Sequence, residues 1–242
     1  MQIPGYLVQA EIGRGGMASV HLAIQESCDR PVAIKIMSAT LANDPAFAKR
    51  FIREAKTMAQ LSHPHIVPVF DTGLHDDCHY MTMEHIVGGT LKKKIRDQTL
   101  TPEQAERVLK EIASALDYAG EQDLIHRDVK PDNIMFRGDG SAVLMDFGIA
   151  RPTLSDDALT QIGTVVGTPR YMSPEQHRGK DIDHRSDLYA LGAVLFEMLT
   201  GKPPYTADDP MALGIKHISE PFPLLPGELR RYQPLLRKLL AK

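Results

Sequence analysis

The chain has 242 residues, 43% hydrophobic and 24% charged, with a formal net charge of −3. This fits a folded chain of one large domain or two small lobes and excludes a disordered or low-complexity protein. There is no basic excess for nucleic acid or an anionic membrane. Cys28 and Cys78 form neither a disulfide framework nor a metal-ligand pattern and suit a reducing cytoplasm, and the longest apolar run, 188–199, falls short of the about 20 residues a membrane span needs.

The first 90 residues read as short strands around one helix. Residues 6–13, 18–25 and 31–37 have strand character and are separated by a glycine-rich turn at 13–16 and a polar turn at 26–30. Asp44 is a helix cap with Pro45 at the first helical position, and the helix is expected to run to about Leu61. Strands follow at 65–73 and 78–86, joined by a polar turn at Asp76 and Asp77, and Gly88-Gly89-Thr90 is the best candidate for a hinge. The sequence Thr101-Pro102-Glu103-Gln104 is a capping box, and apolar residues at 105, 108, 109, 112, 113, 116 and 119 continue it as a helix closed by Gly120. Apolar runs at 134–136 and 141–145 flank a Gly-Asp-Gly turn and predict a hairpin. Residues 186–201 are apolar almost all round, which marks a helix buried on every side and ended at Gly201. Strands first and helices after indicate an α+β chain: a β-rich lobe with one main helix, then a mostly helical lobe.

Four local patterns carry chemistry. The hairpin draws Asn133 and Asp146 together beside Asp128, and such hard oxygens suit Mg²⁺ with phosphate; taken alone, a surface hairpin with polar ends fits as well. Gly13, Gly15 and Gly16 can let backbone N–H groups meet phosphate oxygens, although an ordinary hairpin turn explains a lone glycine cluster better. On the strand 31–37, Val32, Ile34 and Ile36 share one face, Ala33 and Lys35 the other. A lysine on a central strand needs an anion, whereas on an edge strand it would reach solvent. Glu54 lies within the stripe of Phe47, Phe51, Met58 and Leu61, where a carboxylate is costly without a cation; Lys35 is the candidate, and a glutamate at the rim of the stripe is the alternative.

Taken in order, the glycine turn, strand lysine, helix glutamate, "HRDVKPDN" (126–133), "DFG" (146–148) and "SPE" (173–175) make up the protein-kinase signature set. Over nearly its whole length the chain resembles the catalytic domain of a bacterial eukaryotic-like (Hanks-type) Ser/Thr protein kinase. "GRGGMASV", "HPHIVPVFDTG" and "GTPRYMSPEQ" are similar to its bacterial members. The resemblance implies a bilobal kinase fold, with 1–87 as the nucleotide-binding lobe and 88–242 carrying the catalytic loop, activation segment and substrate platform. It implies ATP and Mg²⁺ as cofactors and protein Ser/Thr hydroxyls as acceptors. Gly13, Gly15 and Gly16 would cover the phosphates, with Ala18 where a third glycine usually stands. Lys35 would bind the α- and β-phosphates and pair with Glu54. Ile12, Val20, Ala33 and Met135 would enclose adenine, Met83 would be the gatekeeper, and Glu84 and Ile86 would bond the adenine edge through their backbones. Asp128 would orient the acceptor hydroxyl and take its proton, Lys130 would neutralise the moving phosphate, and Asn133 and Asp146 would hold Mg²⁺.

The resemblance further implies regulation, since Arg127 precedes Asp128. Thr160, then Thr164, are the expected autophosphorylation sites, and Thr168 would bond Asp128 and Lys130 on the substrate platform. Asp187 would bond the catalytic-loop backbone, His126 would be structural, and phosphothreonine-reading partners, dimerisation through the first lobe and a cytoplasmic location are implied. Family members continue past residue 242 into a stretch whose arginine pairs with the glutamate at position 175. A C-terminally truncated domain, with Glu175 lacking its partner, is therefore expected. A nucleotide-binding pseudokinase scaffold, the alternative from another class, should have lost Lys35, Asp128 or Asp146, and all three are present.

Overall fold

β-Branched residues alternate along the central strand of a five-stranded antiparallel sheet and set the architecture of the first part of the chain. The computed structural model describes residues 3–16, 18–38, 45–76, 78–147 and 169–242. These form two compact units that part between Val87 and Gly88. In the first, β1 (Tyr6–Arg14), β2 (Ala18–Gln25), β3 (Arg30–Met37), β4 (Val69–His75) and β5 (Cys78–Glu84) stand in the order β1-β2-β3-β5-β4, so β3 is central. Val32, Ile34 and Ile36 are buried on one face with Tyr6 and Ala23, against Phe70 and Tyr80. The pairings Val20↔Lys35, Lys35↔Met81 and Ala33↔Met83 line those five residues along the other face.

Helix α1 (Pro45–Met58) buries Phe51, Glu54, Ala55 and Met58. It stops three residues short of the expected Leu61. The N–H groups of Gln60 and Leu61 turn back to the carbonyls of Thr57 and Met58, an i→i+3 closure that tightens the chain before Pro64. Strand β4 likewise begins at Val69 rather than at 65. The Ile66 N–H bonds the His63 carbonyl in a turn, and Pro68 has no N–H for a ladder. The expected Asp44 cap and the Phe47 side chain lie outside the described residues.

The second unit contains α2 (Leu91–Arg96), α3 (Pro102–Glu121), the hairpin β6 (Ile134–Phe136) and β7 (Ala142–Leu144), α4 (Pro174–His177), α5 (His184–Thr200), α6 (Pro210–Ser219) and α7 (Gln233–Leu239). The capping box of α3 forms as expected: Thr101 Oγ1 accepts from the Gln104 N–H and Gln104 Oε1 from the Thr101 N–H. Helix α5 is buried along nearly its whole length. Asp183 caps its start, and Gly201, at φ 74°, ends it in the left-handed conformation that glycine adopts without steric cost.

Gly88-Gly89-Thr90, the expected hinge, begins where the two units part, and both glycines bond within the second unit. The Gly88 N–H donates to the Phe136 carbonyl at 2.7 Å, and the Phe136 N–H returns to the Gly89 carbonyl at 3.0 Å. A Cβ on Gly88 would lie 2.4 Å from that Phe136 oxygen, so glycine is required here for close approach.

A polar knot is buried beneath α5 and α6. His217 is fully buried, with Nδ1 3.0 Å from the Tyr189 hydroxyl and its ring beside those of Tyr205 and His177. Its Nε2 has no hydrogen-bond partner among the described residues. Lys242 Nζ donates to the hydroxyls of Tyr205 (3.0 Å) and Tyr189 (3.3 Å) and to the His217 carbonyl (2.5 Å). No helix among the described residues is long and apolar enough to cross a membrane.

Candidate active site

The stretch 126–133 is a loop whose backbone is pinned at nearly every peptide. Asp187, in the first turn of α5 and 4% exposed, accepts the N–H of His126 at 2.6 Å and of Arg127 at 2.8 Å. Burial pushes the Asp187 carboxyl up, and these two N–H bonds pull against it. His126 accepts the Asp128 N–H on Nδ1 (3.2 Å), so it donates from Nε2 to the Met145 carbonyl (2.8 Å); its ring lies against that of Phe147, with centroids 4.6 Å apart and planes tilted by 49°. With both ring nitrogens engaged inside the fold, His126 is a structural residue. Arg127 stands at φ 67°, a left-handed conformation that costs a side-chain-bearing residue about 1–2 kcal/mol. The Asp187 bond to its N–H helps hold it there.

This loop presents a tight polar group. Lys130 Nζ lies 2.9 Å from Asp128 Oδ2, and Asn133 Nδ2 donates to the same oxygen at 3.1 Å and to the Asp128 carbonyl at 2.9 Å. Because Nδ2 faces Asp128, the Asn133 amide turns its oxygen the other way. A 3₁₀ turn, Pro131–Asn133, leads into β6, and the Met145 N–H donates to the Asn133 carbonyl at 2.8 Å. The hairpin thus brings Asn133 to the start of β6 and Asp146 just past the end of β7. Asp146 sits at φ 37°, a second residue in a strained conformation. Met135 points away from its buried neighbours Ile134 and Phe136. Among the described residues no three His, Cys, Asp or Glu side chains gather as metal ligands. A carboxylate and an amide oxygen are a poor cage for zinc and a fitting partial shell for Mg²⁺, which takes its other ligands from phosphate and water.

In the first unit, Lys35 Nζ lies 3.4 Å from Glu54 Oε1, their side chains 16% and 5% exposed. The two were paired from sequence because neither charge suits its apolar surroundings, and the central position of β3 explains why the lysine cannot simply reach solvent. Val20, Ala33 and Met83 share the Lys35 face. Ile12 is 48% exposed on β1, and Ile86 is buried just past β5. The Glu84 N–H already donates to the Pro68 carbonyl at 3.2 Å. The glycine turn is closed by the Gly15 N–H on the Ala18 carbonyl (2.9 Å), and Ala18 is the buried first residue of β2. Among the described residues, a Cβ on Gly13, Gly15 or Gly16 would meet nothing closer than 3.7 Å, so their packing does not demand these glycines.

Thr153, Ser155, Thr160, Thr164 and Thr168 lie outside the described residues. Downstream, Tyr171 donates to Glu197 Oε2 at 2.7 Å, and burial pushes the Glu197 carboxyl up. Glu175 is not left without a partner: the buried Ser186 hydroxyl, in the first turn of α5, donates to its Oε1. The expectation of an unmet carboxylate failed because that turn of α5 supplies a donor. Ser173 and Gln176 form a second capping box, whose Ser-x-x-Gln pattern is its signal in the sequence.

Comparison with known proteins agrees with this geometry. The model of the protein kinase domain matches residues 6–232. The probable serine/threonine-protein kinase PknB of Bifidobacterium longum is 44% identical over 96% of this chain and 36% of its own length. The serine/threonine-protein kinase PknB of Mycobacterium tuberculosis is 44% identical over 86% of this chain and 34% of its own, and the probable PknB of Corynebacterium glutamicum is 44% identical over 89% and 34%. The chain therefore spans about a third of the length of these curated relatives. With a matched model covering nearly all of it, the chain belongs to the protein kinase domain family.

Proposed function

We propose that this chain is the catalytic domain of a protein serine/threonine kinase that transfers the γ-phosphoryl group of ATP to Ser and Thr hydroxyls of proteins. The observation that carries this reading is Asp128, fixed through its own peptide N–H, its carbonyl and its carboxylate, with Lys130 at 2.9 Å and Asn133 at 3.1 Å. Transfer of this kind needs little covalent work from the protein; it needs positioning and neutralised charge. Asp128 orients the acceptor hydroxyl and takes its proton, and Lys130 balances charge on the moving group. Asn133 and Asp146 would hold Mg²⁺, which would neutralise charge on the phosphate oxygens.

In the nucleotide-binding lobe, 1–87, Lys35 meets the α- and β-phosphates and Glu54 keeps its ammonium in place. Gly13, Gly15 and Gly16 leave open space that a polyphosphate would use. Ile12, Val20, Ala33 and Met83 are the apolar residues this lobe offers to adenine, and Met135 is the one expected from 88–242. Glu84 has given its N–H away, so a backbone donor to the base edge comes from Ile86. The lobe 88–242 carries acceptor selection, with Thr168 on the platform and Thr160 and Thr164 as autophosphorylation sites. Domains that read phosphothreonine and a second copy meeting the first lobe are the partners this reading expects, in the cytoplasm.

Incubation with Mg-ATP followed by peptide mass spectrometry tests the proposal. Phosphate on Thr160 or Thr164 is expected in the wild type and absent in Asp128→Asn. Nucleotide binding without phosphate on the chain or on any protein acceptor would overturn it in favour of a nucleotide-binding scaffold.

A further inference from the structure

The peptide that carries Asp128 is held from both sides. Its N–H donates to His126 Nδ1 at 3.2 Å. Its carbonyl, the oxygen of Arg127, accepts from Gln176 Nε2 at 3.3 Å. Gln176 lies 49 residues on, in α4, directly after the Ser173-Pro174-Glu175 stretch. The other end of the same amide is also engaged: Oε1 accepts the Ser173 N–H at 2.9 Å, while Ser173 Oγ accepts the Gln176 N–H at 3.3 Å. The orientation of this amide follows from its partners. A backbone N–H can only donate and a carbonyl can only accept, so the oxygen must face Ser173 and the nitrogen Arg127.

We infer that Gln176 is a positioning residue for phosphoryl transfer, tying the helix that follows the activation segment to the Arg127–Asp128 peptide and so fixing the direction of the Asp128 carboxylate. This rests on the kinase reading above. Arg127 makes the tie consequential. At φ 67° it is in a conformation it would leave if released, and its two main-chain groups are held by different elements, the N–H by Asp187 of α5 and the carbonyl by Gln176 of α4. Rotating this peptide would swing Asp128 away from Lys130 and Asn133. Only an amide of this length serves both ends. A carboxylate keeps the acceptor for Ser173 but has no donor for Arg127, and a shorter side chain reaches only one end.

That asymmetry separates positioning from capping. Gln176→Glu preserves the Ser-x-x-Glu capping box and removes only the bond to Arg127; Gln176→Ala removes both. Wild type, both variants and Asp128→Asn are compared by steady-state phosphorylation of a peptide acceptor and by thermal unfolding. For Gln176→Glu the expected result is kcat lower by about tenfold, KM for ATP unchanged and the unfolding midpoint unchanged. Gln176→Ala should lose both kcat and thermal stability. A Gln176→Glu enzyme with wild-type kcat, or one whose loss is confined to KM, would overturn the inference while leaving the kinase reading intact. A wild type no faster than Asp128→Asn would instead overturn the reading on which it rests.

Discussion

His217 should make the second unit acid-labile, by an amount that can be worked out. Burial, first, and then the nearby His177 and Lys242 charges pull its imidazole from 6.5 to about 3. The folded chain therefore binds this proton more weakly than the unfolded chain. Its contribution to stability is complete above pH 6.5 and is lost as pH falls towards 3. At about 1.36 kcal/mol per unit, the whole interval amounts to about 5 kcal/mol, comparable with the entire stability of many domains. Burial lowers His177 as well, adding a loss of the same sign. His217→Phe removes the titration and leaves the Tyr189 hydroxyl without its ring partner, at a cost of about 1–3 kcal/mol at neutral pH. By pH 5 the wild type has lost about 2 kcal/mol through this one residue. The two stability curves should therefore converge, and meet near pH 5. Urea unfolding followed by circular dichroism between pH 7.5 and 5 measures both. Parallel curves would show that His217 takes up its proton in the folded state at no penalty and refute the reasoning.

Asp187→Ala should cost about 2–4 kcal/mol and reduce kcat at least tenfold, because two loop N–H groups lose their acceptor and Arg127 is released; the figure stays below the sum of two charge-assisted bonds because burial already disfavours the ionised carboxyl. Asp187→Asn, which keeps one acceptor, should fall between, and an alanine variant as stable as wild type in urea would contradict the account. Lys35→Met should destabilise more than Glu54→Gln, since the first takes the cation from beside a buried carboxylate and the second leaves a neutral amide. The reverse order in thermal unfolding would contradict a pair held by the lysine charge. Pre-steady-state phosphorylation by Asp128→Asn should be slower than wild type by at least about a hundredfold, with ATP binding unchanged by calorimetry.

What could be read in advance was whatever the sequence encodes locally or by cost. Helix α3 was placed to within a residue because Thr101, Pro102 and Gln104 are start signals and the apolar residues behind them keep a helical period. The Lys35–Glu54 pair was legible because each charge sits among apolar neighbours and needs the other. Positions 126–133 and Asp187 were legible through their family pattern. Gln176 was not, because its bond to Arg127 spans 49 residues and no period or spacing announces it. The His217 knot draws on α5, α6 and the residues around Tyr205 and Lys242, and histidine spacing alone could not show that it is buried. Glu175 was misjudged because a partner was sought in a specific arginine, while a serine eleven residues on supplied the proton donor.

The two sets of glycines would answer differently to selection. Gly88 is required by the fold itself, since any side chain there would collide with the Phe136 carbonyl whether or not a nucleotide is present. Gly15 and Gly16 meet no such obstacle among the described residues, and a bound ligand would supply the reason to keep them. A library of variants sorted for cellular abundance should retain Gly88 and let Gly15 and Gly16 drift. The same library sorted for phosphotransfer should retain all three. The difference between the two sorted populations would map where the chain answers to its own folding and where it answers to the molecule it binds.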